Sequence, residues 1–134
     1  MTVGHLTLGR EGEEAAARLL ATLGMEIVER NFRCRLGEVD LICRQGDTLV
    51  FVEVKTRGQG SLAAGTDAVD RGKRTRLMRA ASEYLSAKEL WDKPCRFDVV
   101  SVVKKGGGLF AEHLPDAFQA GGEFGYKGRG WQPW

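Results

Sequence analysis

No stretch of this 134-residue chain is apolar for long enough to cross a bilayer. Its opening segment, Met1 to Arg10, lacks the apolar core of a secretory signal. The expected compartment is therefore the cytoplasm. Cysteine is scarce and odd in number: Cys34, Cys43 and Cys95 share no C-x-x-C spacing. That argues against a disulfide framework and a structural zinc site, and leaves reduced, buried thiols. Histidine is scarcer still, and His5 and His113 are too far apart in sequence to suggest a ligand pair. Gly106-Gly107-Gly108 lacks the lysine and helix of a phosphate-binding loop and reads as a turn. Gly9, Gly12 and Gly37 form no phosphate loop either. Internal repeats are absent. The length suits one domain over residues 1–119, followed by a flexible glycine-rich tail, 120–134, that holds Trp131 and Trp134.

What the chain does have is segregated charge. The net charge is only +2. Yet Arg30, Arg33 and Arg35 stand close together, and Arg71, Lys73, Arg74, Arg76 and Arg79 fall in a run without an acid. Basic clusters of this kind point to a polyanion, most simply nucleic acid. The second cluster lies in the N-terminal half of a long helix expected from about Ala68 to Lys88, where cations oppose the macrodipole. A plainer reading is a solvated helix face.

Hydrophobic periodicity supplies the other elements. Ala16, Leu19, Leu20 and Leu23 form a helical stripe from about Arg10, stopped by Gly24. Glu13 falls at the edge of that stripe and can point toward a sheet, whereas Glu14 faces solvent. Strands are expected over Met25–Phe32, Glu38–Arg44, Thr48–Thr56 and Arg96–Val103. The last is apolar on both faces except at Asp98 and Ser101, so it is expected inside the sheet. A short edge strand is expected over Leu109–Leu114.

The second and third strands carry the most informative residues. Gly37-Glu38-Val39-Asp40-Leu41 is followed by Val52-Glu53-Val54-Lys55, so charge interrupts two core strands. Burying a charge is unfavourable unless it is paired or coordinates an ion. Glu38, Asp40 and Ile42 should share one face, and Phe51, Glu53 and Lys55 another. With Gly46-Asp47 as a two-residue turn, Asp40 faces Glu53 and Glu38 faces Lys55. Facing carboxylates repel unless a proton or a cation lies between them. Oxygen ligands without thiolate or imidazole suit Mg²⁺ or Mn²⁺. The plainer alternatives are a solvated hairpin end with surface ion pairs and, for Glu13, an exposed acid in a helix's first turn.

Five segments together resemble the YraN-like family of small bacterial proteins. They are Gly9-Arg10…Gly12-Glu13, Arg30-Asn31-Phe32-Arg33, Gly37 to Ile42, Val50 to Arg57, and Cys95 to Val100. That family is similar to archaeal Holliday-junction resolvases and to the PD-(D/E)xK nuclease superfamily. The resemblance implies an α/β fold with a restriction-endonuclease-like core: a mixed central sheet flanked by helices in the order α-β-β-β-α-β. It implies Asp40 and Glu53 as metal-binding acids, Lys55 as the motif lysine and Glu13 as the acid on the first helix. The Val54 carbonyl would be a further metal ligand. One departure is Val39, which stands before Asp40 where resolvase-like members commonly have proline.

The expected activity is hydrolysis of a DNA phosphodiester by Glu13, Asp40, Glu53 and Lys55 with Mg²⁺ or Mn²⁺. Arg33, Arg35, Arg57, Arg71, Lys73 and Arg74 would contact phosphates without reading sequence. Branched DNA as partner, and a two-fold homodimer, follow from the resemblance alone. Two rivals remain: a non-catalytic nucleic-acid-binding module, and an adaptor that grips a protein through Trp131 and Trp134.

Overall fold

The structure is a computed structural model that describes residues 4–58 and 71–118. Helix α1, Gly4–Thr22, leads into three antiparallel strands: β1, Glu26–Cys34; β2, Gly37–Gln45; and β3, Thr48–Arg57. Helix α2, Arg71–Lys88, then returns the chain to β4, Cys95–Lys105, and β5, Gly108–Phe118. The strands form one mixed sheet in sequential order, with β3 and β4 parallel and every other pair antiparallel. The expected order is met and extended by a fifth strand much longer than the one anticipated. Tail residues 120–134, with Trp131 and Trp134, lie outside the described residues, as does the start expected for α2 at Ala68.

Alternation along the strands gives each helix its own core. Under α2, Leu77, Met78, Tyr84 and Leu85 meet Val39, Ile42, Phe51, Phe97 and Val99. An aromatic row crosses this face, from Phe32 edge-on to Tyr84 (5.3 Å) through Phe51 and Phe97 to Phe118 (5.3 Å). Under α1, Ala16, Ala17 and Leu20 meet Leu41, Cys43, Val50, Val52 and Val100. Every strand but the two edges is thus buried on both sides, which explains the continuous apolar runs.

Helix α1 begins well before Arg10, so Glu13 is interior to the helix and not in its first turn. The two glycines at 9 and 12 argue against an earlier start, since each costs about 1 kcal/mol relative to alanine inside a helix. Gly12 has a packing reason to be there. A Cβ at that position would lie 2.0 Å from Thr56 Oγ1, so α1 could not approach β3 as closely with any other residue.

The β2–β3 hairpin turns through Gly46-Asp47, with Gly46 at φ +61° and Gln45 paired to Thr48. The register runs from there to Leu41 opposite Val52, as the turn predicts. Beyond that point the pairing stops, and the expected face assignment fails. Val39 and Ile42 belong to the α2 core while Leu41 belongs to the α1 core, so Glu38, Asp40 and Ile42 do not share a face. The partner strand changes sides at the same level. Arg30, opposite Leu41, reaches Glu14 of α1, whereas Phe32, opposite Val39, packs on Tyr84 of α2. Between them Asn31 is left-handed, at φ +52°. A residue in that conformation reverses the pleat locally. Both strands therefore switch faces at Asn31 and Asp40.

Candidate active site

The switch leaves Asp40 at the open end between β2 and β3. There its Oδ2 accepts a hydrogen bond from the Val54 N–H at 2.8 Å, in place of a regular ladder bond. A residue's N–H and C=O leave the same edge of an extended strand, so the Val54 carbonyl is directed to that side as well. Glu53 and Lys55 point to the α2 side by alternation from Phe51. They meet Lys73, in the first turn of α2. Glu13 approaches from α1 on the other side. Glu13, Asp40, Glu53, Val54, Lys55 and Lys73 together line a cleft of about 270 Å³. The two helices thus bring one acid and one amine to a centre supplied by β2 and β3.

The electrostatics of this cleft are strained. Burial pushes the Asp40 carboxyl up to about 7, and the charges of Glu53, Glu13 and Glu38 add to it against the Val54 hydrogen bond. Asp40 is only 8 % exposed. Burial also raises Glu53, while Lys73 and Lys55 oppose the rise. Lys55 is lowered, first by its hydrogen bond with Lys73 and then by burial. Two acids held above their usual range thus stand beside Lys55, an amine held below its own. Elsewhere, burial pushes Cys43 and Cys95 up to about 12, so neither thiol is a nucleophile at neutral pH.

The donor set fits a hard divalent ion. Two carboxylates that repel one another, with a peptide carbonyl beside them, are what Mg²⁺ or Mn²⁺ takes while keeping water or substrate oxygens. Among the described residues, no group of three or more His, Cys, Asp or Glu is placed to hold a metal ion. An ion here would depend on oxygens from its substrate.

The other expected residues divide. Lys73 lies in the cleft, beside Glu53 and Lys55. Arg33 and Arg35 are exposed at the β1–β2 end, and Arg71 is exposed at the start of α2. Arg57 is half-buried at the end of β3. Arg74 turns away from the cleft, with its guanidinium 5.7 Å from the centre of the Phe118 ring. Glu38 does not face Lys55, because the ladder ends at Leu41; its near neighbour is Arg33, at 3.9 Å. Sequence reasoning missed Lys73 as a partner of Lys55. It also missed Gly12 and Gly37 as close-approach positions. A Cβ at Gly37 would lie 2.2 Å from the Arg76 carbonyl oxygen. A signal was available, since each glycine immediately precedes an acid that ends up beside the cleft.

A family model described as "Uncharacterised protein family UPF0102" matches residues 12–102. The chain belongs to this family. The match includes every residue of the cleft named above and stops before β5. Among similar proteins, a UPF0102 protein of Nitratidesulfovibrio vulgaris is 47% identical over 130 residues, 97% of this chain and 96% of its own. One of Moorella thermoacetica is 47% identical over 102 residues, 76% of this chain and 85% of its own. One of Geobacter metallireducens is 40% identical over 119 residues, 89% of this chain and 98% of its own. Among the described residues, no helix of this UPF0102 protein is long and apolar enough to cross a membrane.

Proposed function

We propose that this UPF0102 protein is a metal-dependent DNA endonuclease of restriction-endonuclease-like fold, acting in the cytoplasm. The observation that carries the reading is the meeting of Asp40 and Glu53 in a cleft that also holds Lys55 and Lys73. A bound Mg²⁺ or Mn²⁺ would polarise the phosphate and acidify a water. Asp40, Glu53 and the Val54 carbonyl would hold the ion. The Val54 N–H fixes one Asp40 oxygen and leaves the other to the cation. Burial raises both carboxyls, and a cation held there would favour their ionised forms.

Lys55 stands on the acid side of its usual range, so it can position the attacking water or hand a proton toward the leaving oxygen. Lys73, beside it in the cleft, would oppose the negative charge that grows on the phosphate. Glu13 adds a carboxylate from α1 that orders water at the cleft. Arg33, Arg35, Arg57 and Arg71 would contact backbone phosphates.

The test is nicking of a labelled four-way junction and of a linear duplex by the purified chain. Mn²⁺ or Mg²⁺ should be required, and Asp40→Asn should lower the rate at least 100-fold. Nicking that persists in Asp40→Asn would mark a contaminating nuclease. Salt-dependent binding without any nicking would favour the non-catalytic module.

A further inference from the structure

The cleft does not end at Glu53. Beyond it opens a second hollow of about 250 Å³, lined by Gly37, Glu38, Glu53, Lys73, Arg76 and Leu77. Glu53 and Lys73 line both hollows, so the two join into one groove along the end of the sheet. Arg76 is exposed, and its side chain makes no ion pair or hydrogen bond among the described residues. Its main chain is held by the direct approach to Gly37, which fixes the base of the side chain at the hollow's rim. Glu38, on the other wall, stands near Arg33, which offsets its charge.

We infer that this second hollow receives the phosphate next to the one hydrolysed, with Arg76 as its main cation and Lys73 between the two phosphates. The inference rests on the nuclease reading above and extends it to the course of the strand. A guanidinium suits a phosphate because its planar fork can donate two parallel hydrogen bonds. A groove that continues past the acid pair takes a strand with nucleotides on both sides of the cut. The preferred substrate is therefore an internal bond, not a chain end.

The test is binding of the full chain to a labelled four-way junction in EDTA, where nothing is cut, over a series of salt concentrations. Arg76→Ala should weaken binding several-fold and reduce the slope of log affinity against log salt by about one. Arg76→Lys should restore the slope but not the full affinity. Arg79→Ala removes the same charge from an exposed site of α2 outside both hollows, and should have a smaller effect. A single neutral methylphosphonate is then moved along the bound strand. At one position it should weaken the wild type and leave Arg76→Ala unchanged. Equal losses for Arg76→Ala and Arg79→Ala, or a methylphosphonate loss in Arg76→Ala as large as in the wild type at every position, would overturn the inference. If the Arg76 results hold but the wild type never nicks with Mn²⁺, the hydrolase reading fails and the phosphate site stands. If nicking holds and the Arg76 results fail, the reverse is true.

Discussion

Two carboxylates are buried in this sheet, and they keep opposite company. Asp98 on β4 is fully buried and surrounded by donors. Arg96 donates from Nε (3.0 Å) and from a terminal nitrogen (3.2 Å), His113 Nε2 lies at 2.7 Å, and the Asp116 N–H donates at 2.9 Å. Asp40 on β2 has one backbone N–H and three acids around it. Asp98 is where β5 is fastened to β4. Its partner Asp116, at φ +50°, lies within the register shift between Leu114 and Phe118, and His113 pairs just before that shift. Asp40 fastens nothing comparable. A satisfied buried charge holds an architecture together, whereas one surrounded by its own sign departs from what folding favours, and such departures concentrate at functional sites.

The comparison breaks most sharply at Asp98. Asp98→Ala leaves Arg96 and His113 facing an empty site, and removal of one partner from a buried network costs about 3–5 kcal/mol. Urea unfolding should show that loss, and Asp98→Asn, which keeps an acceptor, should show less of it. A loss under about 1 kcal/mol would mean that the network contributes no more than an exposed ion pair.

Asp40 should behave in the opposite sense. Its folded pKa is raised from 3.8 to about 7, so between those values the folded protein binds more protons than the unfolded chain. Stability from this group is present below the unfolded value and is lost as pH rises through the folded one. Asp40→Asn keeps the acceptor for Val54 and removes the repulsion. At pH 8 it should therefore be more stable than the wild type, by on the order of 1–3 kcal/mol. The advantage should shrink at pH 5. Mn²⁺ should raise the melting temperature of the wild type at pH 8 and leave Asp40→Asn unmoved. A variant that is less stable at pH 8 would place Asp40 with Asp98 as an architectural group.

The two acids also differ in how far the sequence reveals them. Asp40 and Glu53 were legible as charge interrupting two apolar strands; the Gly46-Asp47 turn sets a register that holds as far as Leu41 opposite Val52, and the two acids come together beyond its last pair. The face assignment was not legible, because it depends on a left-handed Asn31 in another strand. Asp98 showed only as a polar residue in an apolar strand. Its partners lie on β5, which was expected only over Leu109–Leu114; the next residue is Pro115, and proline cannot donate to a ladder. β5 is an edge strand, where proline is tolerated, and it runs on to Phe118. Lys73 was visible as part of a basic run. Its place beside Lys55 depends on how α2 sits on the sheet, and nothing local encodes that. Gly37, which touches the Arg76 carbonyl, records that approach only after the fact.

The smallest expected effects test whether Glu13 belongs to the centre at all. Glu13 reaches the cleft from α1, whereas Glu53 and Glu38 come from the sheet. If all three act on Asp40 through their charge, replacing each by glutamine should lower the Asp40 titration midpoint in a fixed order. Glu53→Gln should lower it most, Glu13→Gln less, and Glu38→Gln least. Carboxyl carbon shifts of Asp40 followed by NMR against pH read this directly, with no metal or DNA present. Glutamine keeps size and hydrogen-bonding capacity, so the ordering reports charge and not packing. Asp40 unmoved by Glu13→Gln would return Glu13 to the solvated face of its helix. The centre would then consist of β2, β3 and Lys73 alone. A shift for Glu13→Gln larger than for Glu38→Gln would mean that the helix, held close by the absent Cβ of Gly12, brings its charge nearer to Asp40 than β2's own neighbouring acid does.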